Sequence, residues 1–144
     1  MGENRRKRAR GSRAYTVFVS HAWNDRWVAL QIARAIKEAG AESFIDVQDI
    51  VYGDRIAARI QQGLKDADEV VALLTPQSIS RTWVQHEIGA AVALERFVVG
   101  ILYNVTPETL QAGGGMGMLA ERNCVSINDM DTYLSQLKKR IVAR

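Results

Sequence analysis

Apolar positions recur along this chain in two alternating rhythms, one suited to strands and one to helices. "YTVFVS" (15–20) is β-branched and aromatic and closes on polar residues, as a buried strand does. Residues 25–39, "DRWVALQIARAIKEA", put Trp27, Leu30, Ile32, Ala35 and Ile36 broadly on one helical face, with Asn24 as N-cap and Gly40 as the stop. "ESFID" (42–46) reads as a short second strand, and 54–66 as a helix through Ile56, Ile60 and Leu64. "DEVVALLT" (68–75) is the clearest strand. The stretch "SISRTWVQHEIGAAVAL" (78–94) follows as a helix entered at Thr82-x-x-Gln85, or at Ser80 just before it. Then come strand "RFVVGIL" (96–102), a loop, strand "NCVSI" (123–127) and a closing helix, 129–142, with Tyr133, Leu134, Leu137 and Ile141 on its apolar side.

The strands are continuous apolar runs alternating with helices, which predicts a parallel sheet covered on both faces. The expectation is an α/β flavodoxin-like three-layer sandwich with a five-stranded parallel sheet. Ligands of such sheets bind outside the carboxyl ends of the strands. The segments to inspect are therefore 20–24, 46–53, 75–82, 103–107 and 128.

Length and charge narrow the picture. A chain of 144 residues holds one domain with a real core. The net charge of +3 is unevenly spread: six of the 19 basic residues (Arg5, Arg6, Lys7, Arg8, Arg10 and Arg13) lie in the first 13 positions, against the single acid Glu3. What is left, 13 basic and 15 acidic side chains, gives residues 14–144 a formal −2. The division is thus a basic, disordered tail over 1–13 and a folded domain over 14–144. Any contact with nucleic acid would run through that tail alone. No apolar run reaches the roughly 20 residues of a membrane span, no export signal is evident, and the single cysteine forms no disulfide framework. A cytoplasmic protein without membrane association is the expectation.

Several possible sites are weak. "AGGGMGML" (112–119) follows no strand and has neither a Gly-Lys-Ser/Thr ending nor G-x-G-x-x-G spacing. His21, His86 and Cys124 lack metal-ligand spacing, so no metal is expected. A phosphorelay receiver would need an acidic cluster after its first strand and a Lys after its fifth. This chain has Ser20-His21-Ala22 and Asn128-Asp129 there. Glu87 is different: it follows Trp83 by four residues, so an aromatic plate and a carboxylate share one wall of a helix that is otherwise becoming apolar. Taken alone, the pair reads more simply as a core Trp beside a solvated charge.

Three stretches together change that balance. "VFVSHAWND" (17–25), "FIDVQDIVYGD" (44–54) and "SRTWVQHE" (80–87) resemble the three boxes of a Toll/interleukin receptor (TIR) domain, over about residues 14–142. Ser80-x-x-Trp83-x-x-x-Glu87 is similar to the signature of TIR domains that cleave NAD+. The resemblance implies an NAD+ nucleosidase with Glu87 catalytic, releasing nicotinamide and either ADP-ribose or a cyclic isomer. NAD+ would be substrate, with no cofactor. It also implies substrate contacts at His21, Ala22, Trp23, Asp46, Ser80 and Trp83. Each has a plainer reading: Trp23 as a helix staple with Trp27, Asp46 as an acidic cap, and Ala22 as a residue with no side-chain contact to offer. Val51, Tyr52 and Gly53 would form a loop tip through which copies self-associate, or simply a surface turn. The family further suggests immune or antiphage signalling, with a separate sensor or effector protein as partner. A non-catalytic TIR adaptor is the alternative from another class, and a deoxyribosyltransferase-like enzyme with a covalent carboxylate is a third.

Overall fold

The computed structural model of the chain describes residues 13–45, 65–80, 82–112 and 123–144, with residues 80, 82–87, 111 and 112 described through their backbone alone. Five strands form one sheet: β1 (Thr16–Ser20), β2 (Glu42–Ile45), β3 (Glu69–Leu74), β4 (Phe97–Leu102) and β5 (Cys124–Ser126). Every pairing is parallel and the order is β2-β1-β3-β4-β5. This is the flavodoxin-like order, in which the chain winds outward from β1 in both directions.

Four α-helices are described: α1 (Arg26–Glu38), α2 (Thr82–Ala93), α3 (Pro107–Ala112) and α4 (Met130–Ala143). Strand parity sorts the core into two layers. Phe18, Val70, Ala72, Leu74, Val98 and Leu102 pack with Ile88 and Ala91 of α2 and Leu110 of α3. Val17, Val19, Val71, Leu73, Val99 and Ile101 face the other way, against Ala29, Ile32 and Ile36 of α1 and Tyr133 and Leu137 of α4. All six residues of β3 are buried, which explains why the five after Glu69 are apolar at both parities.

The strands and long helices lie where the apolar rhythm puts them, within a residue or two, and three details differ. The N-cap of α1 is Asp25, not Asn24, because Trp23–Asp25 forms a 3-10 turn ahead of the helix. Trp27 is 71% exposed instead of core, because the buried stripe is Ala29, Ile32, Ala33 and Ile36. Two residues at about 100° each put Trp27 on the far side from Ala29. The segment after β4 contains the short helix α3. Its signal is Thr106-Pro107: Thr106 Oγ1 accepts from the Thr109 amide at 3.2 Å, and Pro is favoured at a first helical position. The helix expected over 54–66 and the glycine run lie outside the described residues, apart from helical Lys65 and Asp66.

Glycine matters at two points. Gly40 ends α1 at φ +108°, a conformation that side chains resist. Gly100 lets the central strands close up, since a Cβ there would meet Leu74 Cδ1 at 3.0 Å and Cys124 Sγ at 3.1 Å.

At the amino end of β3 a charge is fully buried. Glu69 Oε1 accepts from Tyr15 Oη at 2.7 Å and Arg140 Nε at 2.9 Å, and Oε2 accepts from Tyr133 Oη at 2.6 Å and Arg140 Nη2 at 3.1 Å. Arg140 also lies over the Phe97 ring, 4.4 Å from its centroid. Burial raises the pKa of both phenols, and Glu69 adds to the shift, so Tyr15 and Tyr133 remain donors at any physiological pH. A buried carboxylate is tolerable only when its lone pairs are satisfied this completely. The cluster bolts α4 to the sheet. Asp68, next to it, accepts from the Thr16 amide at 2.8 Å and pairs with Arg13 at 3.5 Å and Arg144 at 3.3 Å.

Candidate active site at the strand carboxyl ends

The chain diverges between β1 and β3, since β1 leads to β2 on one side and β3 leads to β4 on the other. A crevice at such a switch point is where doubly wound sheets hold ligands. The segments that border this switch point are the one after β1 (His21–Asp25) and the one after β3 (Thr75–Ser80), which leads into α2.

The two segments are tied together. Thr75 Oγ1 donates to Asp25 Oδ2 at 2.6 Å and accepts from the Ser78 amide at 3.1 Å. Ser78 Oγ accepts from the Thr75 amide at 2.8 Å and donates to the Leu73 carbonyl at 2.9 Å. These bonds shape the 3-10 turn Ser78–Ser80 that starts α2 at the end of β3. Thr75 and Ser78 are buried and satisfied. Sequence reading gave them no role, since only the folded turn shows that they link the two segments.

Ser20 and His21 are fully buried: Ser20 Oγ has no hydrogen-bond partner among the described residues, and the His21 ring has the Val19 backbone beside it. Burial lowers the His21 pKa, opposed in part by the Val19 backbone and the Asp25 carboxylate, so the imidazole is neutral near pH 7. Ala22 is buried beside them. Trp23 is 60% exposed at the rim, with the Arg26 guanidinium 5.5 Å from its ring centroid. With Trp27 also turned outward, the two indoles do not form the staple considered above.

Of the expected site residues, His21, Ala22 and Trp23 stand together after β1. Ser80, Trp83 and Glu87 follow β3 by their backbone positions, with Trp83 and Glu87 one turn apart in α2. Asp46 and the loop tip of Val51, Tyr52 and Gly53 lie outside the described residues. Ser20 was not singled out from sequence, where it is only a polar residue at a strand end. Among the described residues no group of three His, Cys, Asp or Glu side chains could hold a metal, and no helix is long and apolar enough to cross a membrane.

Residues 17–141 match the family model described as "TIR domain". A relative named 2′ cyclic ADP-D-ribose synthase BtTIR, from Bacteroides thetaiotaomicron, is 25% identical over 133 residues, which are 88% of this chain and 46% of that protein. One named NAD(+) hydrolase PdTIR, from Paracoccus denitrificans, is 28% identical over 82 residues, 56% of this chain and 27% of that protein. The chain thus spans less than half the length of either. Among solved structures, the TIR domains of the activated Roq1 resistosome superpose with a TM-score of 0.65 at 16% identity, covering 90% of this chain and 98% of that one.

Proposed function

Because the chain belongs to the TIR domain family, we propose that it cleaves the bond between nicotinamide and ribose in NAD+, with Glu87 as the catalytic carboxylate. The observation that carries this reading is the position of Trp83 and Glu87, one helical turn apart on the helix that rises from the carboxyl end of β3. The names of the relatives support the substrate class: two of them, from different bacteria, are a cyclic ADP-ribose synthase and an NAD+ hydrolase.

The chemistry asks little of the protein. As the C–N bond breaks, its electron pair returns to the pyridinium nitrogen and nicotinamide leaves neutral, so no proton donor is needed. The ribose carbon develops oxocarbenium character, and one carboxylate stabilises that charge while holding ribose hydroxyls. Water attacking the cation and losing a proton yields ADP-ribose, whereas attack by a hydroxyl or ring nitrogen of the same molecule yields a cyclic product. Trp83 would supply a flat apolar wall for the leaving ring. Self-association through the segment around Val51, Tyr52 and Gly53 would complete the pocket, and the reaction would serve immune or antiphage signalling or NAD+ depletion.

The test is nicotinamide release from NAD+ by the purified protein and its Glu87→Ala variant over a range of protein concentrations, with products separated by chromatography. Release that the variant abolishes supports the enzyme, and the product peaks distinguish hydrolysis from cyclisation. No turnover at any concentration, assembled states included, transfers the reading to a non-catalytic TIR adaptor.

A further inference from the structure

The two segments that border the switch point share one plan. Each contains a 3-10 turn, Trp23–Asp25 after β1 and Ser78–Ser80 after β3, and each turn comes just before a helix. One side chain bonds both turns. Thr75 Oγ1 accepts from the Ser78 amide at 3.1 Å and donates to Asp25 Oδ2 at 2.6 Å, across 50 residues of sequence. A hydroxyl bonded to a carboxylate at that length makes a strong, charge-assisted hydrogen bond. Thr75 is 2% exposed, so water competes poorly for its hydroxyl, and its side chain acts through Asp25 and not on a ligand.

Asp25 stands where it would ordinarily serve its own helix. It is the N-cap of α1, a position that favours Asp because the carboxylate accepts from an amide of the first turn. No such bond forms here. The 3-10 turn holds Asp25 at φ −99° and ψ 12°, away from the extended backbone usual for capping, and the carboxylate bonds Thr75 instead. The bond matters unequally to the two segments. The β3 side has other anchors: Ser78 Oγ donates to the Leu73 carbonyl at 2.9 Å, the Ile79 amide donates to the Thr75 carbonyl at 3.1 Å, and Ile88 and Ala91 seat α2 on the sheet. On the β1 side, Asp25 closes the turn, its amide donating to the Ala22 carbonyl at 2.9 Å while its carboxylate holds Thr75. The exposed Trp23 is carried by that turn.

We propose that Asp25 and Thr75 are positioning residues whose hydrogen bond fixes the β1 segment, and Trp23 with it, at the spacing from α2 that the substrate spans. This rests on the reading of the site as NAD-cleaving. Because α2 keeps its own anchors, breaking the bond should weaken binding and spare the chemical step. The experiment measures KM and kcat for NAD+ in the wild type, Asp25→Ala, Thr75→Val, the double variant and Thr75→Ser. Either single loss should raise KM about tenfold, with kcat within about threefold of the wild type. The double variant should be no worse than either, since both remove the same bond. Thr75→Ser keeps the hydroxyl and should restore the wild-type KM. Asp25→Ala leaves the Ser78 bond to Thr75 intact, so it decides the matter even where Thr75→Val unfolds. An unchanged KM in Asp25→Ala, a loss confined to kcat, additive losses in the double variant, or Thr75→Ser as impaired as Thr75→Val overturns the proposal. A wild type that releases no nicotinamide fails the cleavage reading instead. Amide exchange then decides the hold itself. The Arg26 amide, which donates to the Trp23 carbonyl, should exchange at least about fivefold faster in Asp25→Ala, with the β3–β4 ladder unchanged. Equal exchange overturns it.

Discussion

At the amino end of β3 the Glu69 carboxylate accepts four hydrogen bonds from three side chains. At the carboxyl end of neighbouring β1, Ser20 and His21 are as deeply buried, yet Ser20 Oγ has no partner among the described residues and the neutral His21 ring has only the Val19 backbone. The same sheet thus ends in two kinds of polar interior. The charged group sits where every lone pair has a donor, and the neutral groups sit where bonds are missing. Desolvation accounts for the assignment: an unpaired buried charge would cost too much to fold, whereas an unpaired hydroxyl or neutral imidazole can be carried. The amino end is therefore built for structure, and the carboxyl end is the end the proposed function uses.

Substitutions can break that division. The largest effect should come from Glu87→Ala, which lowers kcat by at least about a hundredfold with little change in melting temperature. A variant that unfolds instead would move Glu87 to the structural side. At the other end, Glu69→Ala should cost about 3–5 kcal/mol in urea unfolding, because Arg140 and two phenols lose their acceptor together. Its nicotinamide release per folded molecule should not change, and a changed rate would mean that the two ends are coupled. Gly100→Ala, between them, should cost about 1–3 kcal/mol through its contacts with Leu74 and Cys124. It serves as a control for packing damage alone. Thr75→Val should cost about 1 kcal/mol and raise KM, since it unties the β1 and β3 segments.

The smallest effect is on pH. Burial holds the His21 pKa below the ordinary 6.5, so the unfolded chain takes up this proton first as pH falls. The contribution of His21 to stability is present above 6.5 and is lost as pH drops through the folded pKa. His21→Asn should show a shallower fall in melting temperature over that range. Parallel curves for the two proteins would mean that His21 is not held neutral by burial.

What the sequence made legible follows from where the determinants lie. β3 is readable because six consecutive buried positions must all be compatible with packing on two faces, and Gly40 because only a positive φ ends α1 there. The five-stranded parallel fold follows from such runs. Trp27 misleads because a lone large apolar side chain outweighs the small residues Ala29 and Ala33, which mark the buried stripe. The Trp83 and Glu87 spacing needs only a helix to bring them to one face. The dryness of Ser20 and the Thr75–Asp25 link could not be read, because both depend on segments about 50 residues apart coming together.

Arg13 and Arg144 both reach Asp68, so the segment leading into β1 and the last residue of the closing helix meet over one carboxylate beside β3. Two positive charges on one surface carboxylate make a salt-sensitive clasp: raising the ionic strength should loosen the end of α4 at Arg144 before it touches the buried Glu69 cluster.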